Sequence, residues 1–361
     1  MAIKTQDKEF IDILKSFFVD LHKPRLEFLF LMIQSITTVG TINLVKVASG
    51  IKSKIDSLSS YRRIQRFIHH IQFTSSQLVP FLLRLSGVDG PYTLIMDRTN
   101  WQFGKAKINF LMISVKKEGW CVPLIWTLLC KKGNSSEQER IDLMEKLINI
   151  IGKNKIYNLL ADREFIGDKW FNYLNEQGIP YDIRLRENFK VRYKNKLVPV
   201  SKIFKRVPID QMLTIPMPVI LGTTTVYLQG GRIINTKTNK QEYLILATYC
   251  QPNKSSTRYA ERWYIENMFK DMKSNGFQLE CTHITKLNRL DTLMGILSIA
   301  YIWMIKIGEW IKKTKPQIFK KKKHGRPAKS IFRAGIDELI NAIINADHRR
   351  LRKYFKFLSC T

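Results

Sequence analysis

Residues 88–101 read VDGPYTLIMDRTNW, and the texture of the chain changes there. Gly90-Pro91 is a breaker, and Tyr92–Asp97 is a short apolar run ending on an acid, which predicts a strand. Upstream, DKEFIDILKSFFVDL (7–21), RLEFLFLMIQSIT (25–37), NLVKVAS (43–49) and SSYRRIQRFIHHI (59–71) place apolar residues at three- and four-residue steps, the period of helices. Ser59 and Ser60 are N-cap candidates for the last of them, which carries Arg62, Arg63 and Arg66 near its start, where a DNA-reading helix carries its contacts. Downstream, INFLMISVKK (108–117) and WCVPLIWTLLC (120–130) flank a Glu118-Gly119 turn and complete three consecutive strands.

SSEQERIDLMEKLINII (135–151) follows with a capping-box start, then strand IYNLLAD (156–162), helix DKWFNYLNEQG (168–178) and strand YDIRLREN (181–188). The order β-β-β-α-β-α-β predicts an α/β fold with a ribonuclease H-like catalytic core. Residues 188–257 hold 11 basic and 2 acidic residues among strand-like runs, and are expected to form a β-rich insertion. The expected division is an all-helical DNA-binding domain over 1–88, a catalytic domain over 89–311, and a basic, helical C-terminal segment over 312–361. KKTKPQIFKKKKHGRPAK (312–329) reads as a solvated linker or tail, and IDELINAIINADHRRLRKYFKFL (336–358) as one more helix.

Charge points to the partner. Sixty Lys and Arg against 30 Asp and Glu leave a net charge of +30 in 361 residues. The excess runs through every segment, unlike the single basic helix face of a membrane-surface binder, so nucleic acid is the expected polyanion. TLMGILSIAYIWMI (292–305) is the best candidate for a membrane span, but charges close it at Lys306 and Glu309, and it is expected to be a buried core helix of a soluble, intracellular protein. Five cysteines without a C-x-x-C pair indicate reduced, buried thiols, and six histidines show no H-E-x-x-H pattern.

Asp97 and Asp162 each end an expected strand, and the carboxyl ends of strands line the ligand crevice of an open sheet. Two carboxylates side by side invite a hard divalent cation. A third acid belongs to RYAERWYIENMFKDMKSNGF (258–277). At 100° per residue Tyr259 lies at 0°, Arg262 at roughly 300°, Glu266 at roughly 340° and Lys273 at roughly 320°, one stripe about 21 Å long beside an apolar face of Ile265, Met268, Phe269 and Met272. Glu261 falls at roughly 200°, toward the apolar side.

The spacing Y-x2-R-x3-E-x6-K, met by Tyr259, Arg262, Glu266 and Lys273, resembles the signature of the DDE transposases of bacterial insertion sequences, in the group named after the fourth insertion sequence. MDRTNW around Asp97 and LADREFIG around Asp162 are similar to that group's first two catalytic blocks, and Asp162 and Glu266 stand 104 residues apart, room for the insertion the family places there.

The resemblance implies the retroviral integrase superfamily, with Asp97, Asp162 and Glu266 binding two Mg²⁺ ions, for which Mn²⁺ can substitute. Tyr259, Arg262 and Lys273 would hold phosphates at the transposon end. The implied activity is cut-and-paste cleavage at terminal inverted repeats and joining of 3′ ends to target DNA. A homodimer at the bacterial nucleoid, in the cytoplasm, is the implied setting. A ribonuclease H-like nuclease without strand transfer and a catalytically silent repressor are the alternatives. Trp101 or Trp263 could stack on an extruded base, Glu164 is left outside the ligand set, and KKKKHGRPAK resembles a minor-groove hook with His324 in place of its arginine.

Overall fold

The computed structural model describes residues 5–51, 55–235, 238–250, 252–322 and 327–358. Five helices come first: α1 (Thr5–Phe17), α2 (Lys23–Val39), α3 (Leu44–Gly50), α4 (Ser57–His70) and α5 (Ser75–Ser86). Asp56, not Ser59 or Ser60, caps α4, its carboxylate accepting the Ser59 N–H at 2.9 Å. The sequence reading missed α5, because Pro80 interrupts its pattern. Among the arginines of α4, Arg62 and Arg66 are exposed, whereas Arg63 lies over the Phe28 ring at 4.0 Å.

The sheet begins with β1 (Tyr92–Phe103), β2 (Ala106–Lys117) and β3 (Trp120–Leu128), then α6 (Glu137–Ile151), β4 (Ile156–Ala161), α7 (Asp168–Glu176) and β5 (Tyr181–Arg184). The strand order β3-β2-β1-β4-β5 pairs β1 with β4 and β4 with β5 in parallel, and β1 with β2 antiparallel. Ser136 and Glu139 close the capping box of α6.

Residues 188–257 do not leave the sheet. They add β6 (Lys190–Tyr193), β7 (Lys196–Pro199), α8 (Val200–Phe204), β8 (Met212–Thr214), β9 (Val219–Leu221), β10 (Thr224–Ile234) and β11 (Gln241–Thr248). Because β11 pairs antiparallel with β5, the order continues as β5-β11-β10-β9-β6-β7.

The chain returns through α9 (Ser255–Ala260) and α10 (Trp263–Met272) to α11 (Leu287–Thr314). By length and mean hydropathy α11 could cross a membrane, being longer than the 290–311 helix expected, but 89% of its most apolar window is buried within the protein. Helices α2, α4, α5 and α12 (Ile331–Ile344) all pack on it, which is why it is apolar all round.

The C-terminal residues correct one expectation. In place of one helix there are two, α12 and α13 (His348–Lys356), broken where Ala346 takes φ 48°. The end of the chain packs on α11: Trp303 of α11 donates its indole N–H to the Tyr354 carbonyl at 2.8 Å, and Phe355 stacks on Trp303 at 5.5 Å. A Cβ on Gly335 would stand 1.9 Å from the Met304 carbonyl oxygen, so α12 lies directly against the α11 backbone. The hook-like residues Lys323, His324, Gly325 and Arg326 lie outside the described residues. The described cysteines are unpaired, as expected, but Cys130 and Cys281 are exposed rather than buried.

Candidate active site

Asp97 does not end its strand. The parallel pairing of β1 with β4 stops at Met96↔Ala161, and β1 then runs seven further residues, to Phe103, paired with β2 alone. Asp97 and Asp162 are thus the first residues beyond the paired stretch on two adjacent parallel strands. Each is held alike: Arg98 N–H donates to Asp97 Oδ1 at 2.7 Å, and Arg163 N–H to Asp162 Oδ1 at 2.7 Å.

The stretch 258–277 is not one helix. Around Glu261 and Arg262 the hydrogen bonds tighten to three-residue spacing, Tyr264 N–H to Glu261 O and Ile265 N–H to Arg262 O, which separates α9 from α10. The uniform stripe predicted from 100° steps therefore fails, yet three of its four members still converge. Tyr259 hydroxyl donates to Asp162 Oδ1 at 3.1 Å, and Arg262 Nε donates to the Tyr259 oxygen at 3.2 Å. Arg262 Nη2 donates to Glu266 Oε1 at 2.5 Å and Nη1 reaches Asp97 Oδ2 at 3.4 Å. Glu266 stands in the first turn of α10, where the helix dipole favours an anion. Ile265, Met268, Phe269 and Met272 are all buried, as expected of the apolar face.

Lys273 departs from the group. It follows the end of α10 with ψ −99°, and its ammonium donates to the Asn100 carbonyl at 2.9 Å and pairs with Glu280 at 2.8 Å. Glu261 does not face the apolar side: it pairs with Lys116 of β2 at 2.5 Å. Arg62, Arg63 and Arg66 make no hydrogen bond or ion pair with the acidic cluster among the described residues.

Burial pushes the Asp97 carboxyl up to about 7, against the opposing pull of the Arg262 charge and the Arg98 N–H. Burial works against the Arg262 guanidinium too, but the Tyr259 oxygen, Asp162, Asp97 and Glu266 outweigh it and hold its pKa above the ordinary range. Burial also raises Tyr259, so its phenol stays protonated and can donate.

Two supporting pairs were missed in the sequence. Asp182, fully buried on β5, accepts from Asn158 of β4 at 2.6 Å and takes a two-pronged contact from Arg258, at 2.6 and 2.8 Å. That pair docks α9 on the strands, next to Tyr259. Arg98 grips Glu164 through Nε at 2.9 Å and Nη2 at 3.1 Å, tying the residue after Asp97 to the loop after Asp162. The available signal was an acid inside an apolar strand, YDIR, which demands a buried partner.

Trp101 is closed to base stacking, with Phe110 stacked on its ring at 5.6 Å and the Lys273 ammonium 5.7 Å from its centroid. Trp263 carries Lys270 at 5.4 Å.

A sequence profile of the transposase DDE domain matches residues 123–303, half of the chain. The chain belongs to the transposase DDE domain family. The matched residues contain Asp162, Tyr259, Arg262, Glu266 and Lys273, whereas Asp97 precedes them and joins the cluster through the pairing of β1 with β4. Among solved structures, the transposase is similar to a piggyBac transposase synaptic complex with hairpin DNA, at 13% identity and TM-score 0.46, over 94% of this chain and 76% of that one. Curated protein sequences returned no match. The transposase is thus an enzyme acting on DNA, built on a mixed α/β sheet that fits the ribonuclease H-like core of such enzymes.

Proposed function

We propose that this transposase uses Asp97, Asp162 and Glu266 as its catalytic carboxylates, cutting DNA at the inverted repeats of its own element and joining the 3′ ends to target DNA. The observation that carries the reading is the Arg262 guanidinium: it bridges Asp97 and Glu266 while its Nε binds the hydroxyl that Tyr259 donates to Asp162. Carboxylates from β1, the end of β4 and α10 are gathered around one positive charge. The Y-x2-R-x3-E-x6-K pattern supports assignment to the group named after the fourth insertion sequence.

The donor set suits a hard divalent cation, since it is all oxygen. As they stand, no three carboxylates among the described residues are close enough to hold an ion together, and the Arg262 side chain sits among them. With that side chain withdrawn, Asp97 Oδ2, Asp162 and Glu266 would hold Mg²⁺ or Mn²⁺, two ions in all. Bound there, such a pair supplies activation of the attacking oxygen and stabilisation of the leaving one.

The chain's own contribution is positional. Arg98 and Arg163 amides fix one oxygen of each aspartate, and the Arg258–Asp182 pair fixes Tyr259. Arg262 and Tyr259 would then turn their donors to phosphate at the cut, with Lys273 further along the same DNA. Residues 1–88 would bind the transposon end through the exposed Arg62 and Arg66, and two copies of the chain would hold two ends, in the bacterial cytoplasm at the nucleoid.

The test is incubation of the full chain with DNA carrying its element's ends and Mg²⁺, beside Asp97→Ala. Cleavage and joining by the wild type, with neither by the variant, is the expected result. Cleavage without joining identifies a nuclease, and binding without cleavage a repressor.

A further inference from the structure

The face of β1 that carries Asp97 continues through Thr99, Trp101 and Phe103, since alternate residues of a strand share a face. The segment from Arg262 to His283 runs alongside it: Arg262 reaches Asp97, Lys273 reaches Asn100 and covers Trp101, and the His283 imidazole stacks on Phe103. The last pair is close to parallel, with centroids 4.6 Å apart and rings 14° from coplanar.

Both rings lie at the surface, with Phe103 39% exposed. His283 is held there at φ 56°, a left-handed conformation uncommon for residues other than glycine. An exposed phenylalanine alone needs no explanation. One that carries a second ring at this spacing, on a strained backbone, presents a flat aromatic surface to solvent. Lys105, Lys107 and Lys286 are exposed on the two segments that form it, so its surroundings are cationic.

We propose that Phe103 and His283 form a stacking platform for an unpaired base of the DNA held at the carboxylates. The inference rests on the DNA-cleaving role proposed for the carboxylate cluster. Six residues of strand separate Phe103 from Asp97, about 20 Å at roughly 3.3 Å per residue, or about six stacked nucleotides. Base–aromatic stacking tolerates any base, which suits a platform that offers the face of a ring. Of the two rings that the sequence offered for this task, Trp101 is stacked with Phe110 and has the Lys273 ammonium over it, and Trp263 carries Lys270; Phe103, two residues beyond Trp101, is exposed.

The probe is a duplex oligonucleotide with a short single-stranded adenine overhang containing 2-aminopurine, compared with the same duplex blunt-ended. The full-length chain should quench the 2-aminopurine and prefer the overhang. Phe103→Ala and His283→Asn, the latter at home in a left-handed backbone, should lose that preference by roughly 5- to 100-fold and leave blunt-duplex affinity unchanged. Phe103→Trp should retain it, which separates stacking from a loss of fold. Salt-dependent binding of both DNAs without preference, or preference surviving in Phe103→Ala, overturns the platform while leaving the transposase reading intact. No DNA binding by the wild type overturns both.

Discussion

Arg262 Nη2 donates to Glu266 Oε1 at 2.5 Å across one turn of chain, and the same guanidinium reaches Asp97. The carboxylate cluster therefore carries its own counter-cation, and any external cation must compete with it. Arg262→Ala should bind Mn²⁺ more tightly in the absence of DNA, by on the order of tenfold or about 1.4 kcal/mol, as read by calorimetry. The same variant should lose DNA cleavage, having lost a phosphate donor. Equal Mn²⁺ affinity in variant and wild type would count against competition for one site.

The Arg258–Asp182 pair supports Tyr259 from behind. Asp182 has no exposure at all, so removing Arg258 strands a buried carboxylate with only Asn158 beside it. Arg258→Ala should cost about 3–5 kcal/mol in urea denaturation. A loss below about 1 kcal/mol would mean that Asp182 finds water or another donor.

Close approach of α11 and α12 rests on two glycines. A Cβ on Gly308 would lie 1.9 Å from the Ile331 carbonyl oxygen, and one on Gly335 equally close to that of Met304. Gly308→Ala and Gly335→Ala should each destabilise the chain by about 1–3 kcal/mol or more, measured by thermal melting. Unchanged melting temperatures would show that the C-terminal helices can shift outward at no cost.

Asp271 lies on α10 among buried residues, and burial lifts its carboxyl to about 7 from an ordinary 3.8, against the Asn275 hydrogen bond and the Lys270 charge. A raised folded pKa means that the folded state holds the proton more tightly. Its contribution to stability is full below about pH 4 and is lost as pH rises through 7. Asp271→Asn, neutral throughout, should match wild type near pH 4 and exceed it at pH 8 by on the order of 2–4 kcal/mol. A variant advantage that does not change with pH would refute the assignment.

Much of the core could be read from periodicity, because the strands of the catalytic core and helices α6 and α7 bury apolar residues at periods of two and 3.6. Asp97, Asp162 and Glu266 could be singled out as acids at strand ends and on a neighbouring helix face. Asp97 was misplaced in one respect: β1 pairs with β2 well past the point where β4 stops, and a single apolar run cannot reveal which of two neighbours ends first. The four-residue stripe was misread for a similar reason. Helix periodicity assumes an unbroken ladder, and hydrogen bonds at Glu261 and Arg262 interrupt it. Lys273 was thereby placed with the acids, whereas the end of α10 turns it to Asn100 and Glu280.

By itself the sequence determined the element order from β1 to β5, the basic character that calls for a polyanion, and the residue types able to hold a hard cation. All three depend on local chemistry: side-chain spacing, charge count and ligand type. Tertiary structure decided how those residues meet. It joined residues 188–257 to the central sheet through β11, made the C-terminal helices part of the core, closed Trp101, and set Arg262 among the carboxylates. Each outcome depends on which surfaces bury one another across long separations in the chain, and that is not encoded in the period or composition of any one segment.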